Sequence, residues 1–210
     1  MQAQLDRIRA KVHRAEDLFR SHEWDYLTTP NVVKVFGART HRYRLNPPLP
    51  LDEMERWEET YRTPLPAPYR AFLAAVGDGG AGPCHGLFPL REWDRGCLVA
   101  AEVLPDWPST PCLLRTDYPP GPDTEAWLVE VGGPDWEDRF NADAWDPLVG
   151  CLTLCEVGCG GYIYLVLNGP LTGRVCFAEH LCRPGFAPQA DFLDYYEAWI
   201  DDALADRPAH

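Results

Sequence analysis

Apolar positions in the first twenty residues recur at helical spacing. Leu5, Ile8, Val12, Ala15, Leu18 and Phe19 share one face, and Arg7, Arg9, Lys11, Arg14 and Arg20 share the other. This predicts a basic amphipathic helix that ends before Thr29 and Pro30. Helices of this kind can lie on a membrane surface, but Glu16, Asp17 and Glu23 dilute the charge. The expectation is an apolar stripe packed on the body, with basic side chains beside acidic neighbours. Val32 to Val35 is short and rich in β-branched residues and reads as a strand, and Asn46 to Pro50 reads as a stiff extended linker. The next helix should follow Leu51, with Asp52 as N-cap and Glu53 and Glu55 near its positive end, and should run to Tyr61. Pro64, Pro66 and Pro68 interrupt the pattern. A further helix should open near Pro68 and bury Tyr69, Phe72, Leu73 and Val76.

Gly77 to Pro83 holds four glycines and must turn sharply. It does not read as a phosphate loop, because no Gly-Lys-Ser/Thr follows and it closes a helix instead of opening one. From Leu87 to His180 the pattern is mostly β. Trp127 to Val131, Leu148 to Val157, Tyr162 to Leu167 and Val175 to Ala178 read as strands, with Asn168 to Gly173 as the turn between the last two. Pro105 to Pro122, with six prolines, reads as a loop, and so does the acidic, Trp-bearing stretch Asp135 to Asp146. The end is helical, with Phe192, Tyr195, Tyr196, Trp199 and Ala203 on one face and Asp191, Asp194, Asp201 and Asp202 on much of the other. Asp201, Asp202 and Asp206 stand near the helix C-terminus, where the dipole disfavours carboxylates, so a partner or solvent must account for them.

Composition sharpens this picture. The 210 residues are 46% apolar and include eight tryptophans, enough for a packed core. No hydrophobic leader is visible at Met1 to Arg20, and no apolar run is long enough to span a bilayer. The expected compartment is the cytoplasm, where the eight cysteines would be mostly free thiols. Net charge is −13 and unevenly placed: residues 1–50 carry nine Lys/Arg against five Asp/Glu, and residues 51–210 carry ten against twenty-seven. An acidic body repels nucleic acid and anionic membrane and steers basic proteins towards itself.

Catalytic signatures are sparse. There is no Gly-x-Ser-x-Gly elbow and no His-Glu-x-x-His. Cys84 and His85 are adjacent in sequence, which is poor geometry for a nucleophile and its base. Cys151, Cys155 and Cys159 would line one face of a helix, but Leu152, Leu154 and Val157 favour a strand there. A metal site would need Cys176, Cys182, His180 or His85 brought in by folding. Buried free thiols are the default reading, so the expectation is no cofactor, no metal and no catalysis, with a Cys/His metal-dependent protein as a further alternative. Glu58 is expected to pair with Arg62 along its helix.

Two groups of residues carry a resemblance. The first is Trp57 and Glu58, Leu65 and Pro66, then Tyr69, Arg70, Phe72 and Leu73, leading into Gly77 to Pro83 and Gly86 to Leu90. The second is Gly158, Cys159 and Gly160, Leu165 and Val166, Gly169 and Pro170, and Gly173 to Val175. In order and spacing, over about residues 50–205, they resemble the SUKH superfamily, the Smi/Knr-type proteins. The chain departs from that pattern at Arg62, where a glycine is usual, at Cys84 and His85, and in the basic helix before residue 50. The resemblance implies an α+β fold, a twisted and largely antiparallel sheet flanked by helices. Here that would be residues 50–210, preceded by an N-terminal helical extension over residues 1–49. Its bacterial members include immunity proteins that neutralise toxins, often nucleases, and its fungal members are cell-wall-synthesis regulators. The implied function is non-catalytic protein binding, with a basic toxin as partner, or alternatively a regulatory or scaffold role with an endogenous partner.

Physical chemistry points to one stretch for such binding. Nuclease toxins are basic because they grip phosphates, an acidic partner gains association rate by steering, and Trp is a favoured interface anchor. Asp135, Trp136, Glu137, Asp138, Asp143, Trp145 and Asp146 combine these features and are the candidate partner-binding residues. Two roles are open to Trp136 and Trp145: anchors for a partner, or pins that hold a long loop to the core. Oligomeric state is not readable from the sequence.

Overall fold

The computed structural model describes residues 1–21, 31–95, 106–115, 124–179 and 184–205. Thr29, Pro30, Pro105, Pro119, Pro120, Pro122, His180, Cys182 and Asp206, which figure in the sequence reading, lie outside these residues. The architecture is α+β. Helices α1 (Gln2–Ser21), α2 (Asn31–Lys34), α3 (Ala38–His41), α4 (Leu51–Tyr61), α5 (Ala67–Ala75), α6 (Thr124–Gly132) and α7 (Trp136–Asn141) precede the sheet. The strands are β1 (Cys151–Gly158), β2 (Gly161–Val166), β3 (Val175–Glu179) and β4 (Gly185–Phe186), and α8 (Phe192–Leu204) closes the chain. The sheet is antiparallel in the order β1-β2-β3-β4.

Irregular chain extends the sheet beyond β1. The Phe88 N–H donates to the Leu154 carbonyl at 2.7 Å, and the Thr153 N–H donates to that of Trp93 at 2.8 Å. Gly80 and Leu87 exchange both backbone bonds, each 2.8 Å, and the Ala81 N–H reaches the Arg44 carbonyl at 2.7 Å. These rungs cover the outer edge of β1, which would otherwise offer unpaired backbone to another chain. The glycine turn makes this possible. Gly79 and Gly80 hold φ of 83° and 94°, and a Cβ on Gly80 would stand 2.4 Å from the Arg44 oxygen.

The α1 helix behaves as its pattern predicts. Leu5, Ile8, Val12 and Ala15 are buried, and they share one core cluster with Met54 and Trp57 of α4, Tyr69, Phe72 and Leu73 of α5, the sheet, and Phe192, Tyr196 and Ile200 of α8. Its polar face meets α8. Arg7 forks onto Glu197 at 3.0 and 3.1 Å, Lys11 reaches Glu197 at 2.8 Å and Asp201 at 2.7 Å, and Gln4 donates to Asp194 at 2.9 Å. This explains the carboxylate at Asp201, because Lys11 supplies the charge that the helix dipole does not. The paired cations hold the Glu197 carboxyl down at about 2, with the Arg7 hydrogen bond the main cause. At the other end of α8, the Asp191 side chain caps the helix by accepting from the Asp194 N–H at 3.1 Å.

Five local expectations need correction, the last two at the candidate site. Val32 to Val35 is not a strand: Asn31–Lys34 forms a helical turn that buries the adjacent Val32 and Val33, and the Val32 carbonyl accepts from the Tyr43 hydroxyl at 2.8 Å. Pro50, not Asp52, occupies the N-cap position of α4, and Asp52 sits in its first turn. Glu58 turns from Arg62 to Arg70, 3.1 Å away, and accepts from the Leu65 N–H at 2.9 Å, which ties α4 to α5. Arg62 ends α4 in the left-handed conformation, φ 50°, that a glycine would adopt at low cost. The fourth correction lies at residues 127–131 and the fifth at residues 135–146.

Candidate protein-interaction site

Trp127 to Val131 has strand composition, yet it lies within α6. An alternating strand would bury residues 127, 129 and 131 together. Instead Trp127 and Leu128 are buried, Val129 is exposed and Val131 is half-buried, the three-to-four-residue rhythm of a helix face. Burial against the core outweighs β propensity, which is a weak preference. Two glycines follow. Gly133 holds φ of 85° and donates its N–H to the Val129 carbonyl at 2.9 Å, ending α6. Gly132 is required for another reason: a Cβ there would stand 2.6 Å from the Trp136 Cβ and 2.7 Å from the Trp145 Cη2.

This close approach sets the geometry of the acidic stretch. Asp135 to Asp146 is not a plain loop, since Trp136–Asn141 forms α7. Glu137 and Asp138 occupy its first turn, where the helix dipole favours carboxylates, and Arg139 its last. The Arg139 guanidinium donates to the Gly132 carbonyl at 2.7 Å and lies 5.6 Å from the centre of the Trp145 ring. It thus caps α6 and clamps the chain that returns after α7.

The structure divides the seven candidate residues into two sets. Asp135, Glu137, Asp138 and Asp143 are exposed, and Asp143 adopts the left-handed conformation at φ 54°. Trp136 is half-buried and meets Trp145 edge to face at 6.5 Å between ring centres. Trp145 and Asp146 turn inward, at 7% and 1% exposure, and an Asp146 oxygen accepts from the Leu148 N–H at 2.7 Å. The stretch thus carries four exposed carboxylates, an acidic rim, and a tryptophan pair whose inner member is part of the core. Beside the pair opens a cleft of about 270 Å³, lined by Asp106, Trp107, Thr110, Arg139, Trp145 and Asp146 among others.

Sequence reasoning did not single out Arg139, Asp106 or Trp107. The run from Asp135 to Arg139, acids followed by a base directly after two glycines, is a helix-start signal that marks Arg139. Trp107 carries no such signal. It is fixed by tertiary contacts, its indole N–H donating to the Cys151 carbonyl at 2.8 Å.

The cysteines of the late sheet lie on a strand, as their neighbours implied. Cys151 and Cys155 are buried in β1, and Cys159 is exposed in the turn that follows. The six described cysteines are free thiols. Among the described residues, no three His, Cys, Asp or Glu side chains gather as metal ligands, and no helix is long and apolar enough to cross a membrane.

No family model, curated protein or solved structure matches this chain. The α+β architecture is therefore established by its coordinates alone.

Proposed function

We propose that the chain is a non-catalytic protein-binding domain that neutralises a basic toxin domain, such as a nuclease, by covering its working surface. The carrying observation is that Asp135, Glu137, Asp138 and Asp143, on and beside α7, are exposed carboxylates in a stretch whose Trp136 is only half-buried. These four form no ion pair among the described residues. The acids of α8, by contrast, are used internally, in contacts with Arg7 and Lys11. Carboxylates left outside such pairs are free to meet cationic side chains of another protein, and their combined field speeds encounter. The resemblance to SUKH proteins supports the same reading and supplies the toxin as the class of partner. In this reading the protein works in the cytoplasm, needs no cofactor and contacts neither nucleic acid nor membrane.

The test is affinity capture with the tagged full-length chain from the cells that make it, followed by mass spectrometry. The expected result is one stoichiometric, basic partner carrying a toxin domain. Retention of several housekeeping proteins instead would replace this reading with the regulatory one.

A further inference from the structure

Cys112 and Cys151 are thirty-nine positions apart in sequence, yet their sulfurs stand 3.6 Å apart. The residue before Cys151 also lies close to Cys112: a Cβ on Gly150 would stand 2.9 Å from the Cys112 Cα. The approach is held from several sides. The Gly150 N–H donates to the Trp107 carbonyl at 3.0 Å, and the Trp107 indole donates to the Cys151 carbonyl. The Asn168 side chain accepts from the Cys112 N–H at 3.1 Å and donates to the Pro108 carbonyl at 2.6 Å. Residues 106–115 are thereby laid against the start of β1 with two thiols face to face. Bridging them requires the sulfurs to close from 3.6 Å to the disulfide distance of about 2.05 Å.

We propose that Cys112 and Cys151 are a redox modification site, which a peroxide converts to a disulfide that staples residues 106–115 to β1. The same segment supplies Asp106, Trp107 and Thr110 to the wall of the cleft beside Trp145, so the staple fixes one side of that cleft. The two thiols are not equivalent. The contact between the two sulfurs lowers the Cys112 pKa, while Cys151 is pushed up by its contacts with Cys112 and Cys176 and by burial. Cys112, 6% exposed where Cys151 is fully buried, is also the more accessible sulfur, and it attacks first as its thiolate. Its sulfur displaces hydroxide from hydrogen peroxide and becomes a sulfenic acid. The Cys151 sulfur then attacks the Cys112 sulfur, the S–O bond breaks, and the departing oxygen leaves as water with the Cys151 proton. Two thiols and one peroxide yield one disulfide and two waters. This chemistry is independent of the partner that the acidic rim binds.

The experiment is treatment of the reduced full-length protein with stoichiometric hydrogen peroxide, followed by non-reducing peptide mapping. The expected product has lost two hydrogens, contains a linked peptide joining Cys112 to Cys151 and reverts with dithiothreitol. Tryptophan fluorescence should fall with the same kinetics, since a disulfide quenches a neighbouring indole and Trp107 is bonded to Cys151. Cys112→Ser should abolish both changes while keeping the fold, and Cys176→Ser should retain both. A predominant Cys151–Cys176 link, or peroxide consumption that leaves Cys112 and Cys151 unlinked, would overturn the proposal.

Discussion

Two acidic surfaces of this molecule use the same side chains to opposite ends. On α8, Asp194, Glu197 and Asp201 all face α1 and are bonded by Gln4, Arg7 and Lys11. On and around α7, Asp135, Glu137, Asp138 and Asp143 face solvent without an ion pair among the described residues. The first set helps hold the fold, and the second contributes little to it. Carboxylate density alone therefore does not mark an interaction surface. What distinguishes the α7 stretch from α8 is that its carboxylates are left exposed and unpaired among the described residues, in a segment whose Trp136 is only half covered.

The comparison can be broken most strongly at its apolar base. Ile8 is fully buried in the seam that joins α1 to the rest of the core. Ile8→Ala should destabilise the protein by about 2–4 kcal/mol, through lost transfer energy and the cavity left behind. A urea titration would measure this, and a cost below about 1 kcal/mol would mean that α1 is a loosely attached arm.

The next effect lies in the charged rim of that seam. Glu197→Gln should cost about 1–2 kcal/mol at neutral pH, since Glu197 takes charge-assisted bonds from both Arg7 and Lys11. Its folded pKa, about 2, lies below the ordinary carboxylate value. Its stabilisation is therefore complete above that ordinary value and is lost as pH falls towards 2. The difference between wild type and Glu197→Gln should shrink over this interval. His41 adds a second acid-sensitive window. It is buried against Tyr43 and Trp199, its Nδ1 accepts the Tyr43 N–H at 3.0 Å, and burial, reinforced by the His85 charge, holds its pKa at about 4. Between its ordinary value and 4 the unfolded chain binds the proton that the folded chain refuses, so stability falls on acidification through that window as well. A series of melts across these pH values should show two successive losses, and only the lower one should depend on Glu197.

The smallest stability effect belongs to the other acidic surface. Neutralising Asp135, Glu137, Asp138 and Asp143 to their amides should change folding stability by only about 0.5 kcal/mol, the helix-dipole contribution of Glu137 and Asp138, because exposed groups that form no ion pair contribute little else. A loss comparable to that of Glu197→Gln would show that these carboxylates hold the fold after all.

Much of the fold was legible from periodicity. The helical spacing of Leu5 to Ala15 and of Phe192 to Ala203 fixes two helices and their buried faces, and the turn at Asn168 to Gly173 fixes the β2–β3 hairpin. Where the reading failed, short segments rich in β-branched or aromatic residues were involved. Val32 to Val35 and Trp127 to Val131 are too short for periodicity to decide, and packing settled both as helix. The candidate site was legible in its chemistry but not in its depth. The carboxylates at Asp135 to Asp138 are exposed as their type suggests, but the inward turn of Trp145 and Asp146 depends on Gly132 packing beneath the two tryptophans, a contact that spacing cannot reveal. The apparent misplacement of Asp201 at a helix C-terminus was a sound clue to a partner, which proved to be Lys11 of the same chain.

The most direct test of the acidic rim compares two tagged proteins in parallel capture from the same cells, the wild type and the variant with the four amides in place of Asp135, Glu137, Asp138 and Asp143. Both should be equally folded by melt. A basic partner retained by the wild type and reduced at least about tenfold by the variant, as expected when several interfacial charges are removed, would uphold the account. Equal retention of that partner by both proteins would contradict it and place the binding surface elsewhere.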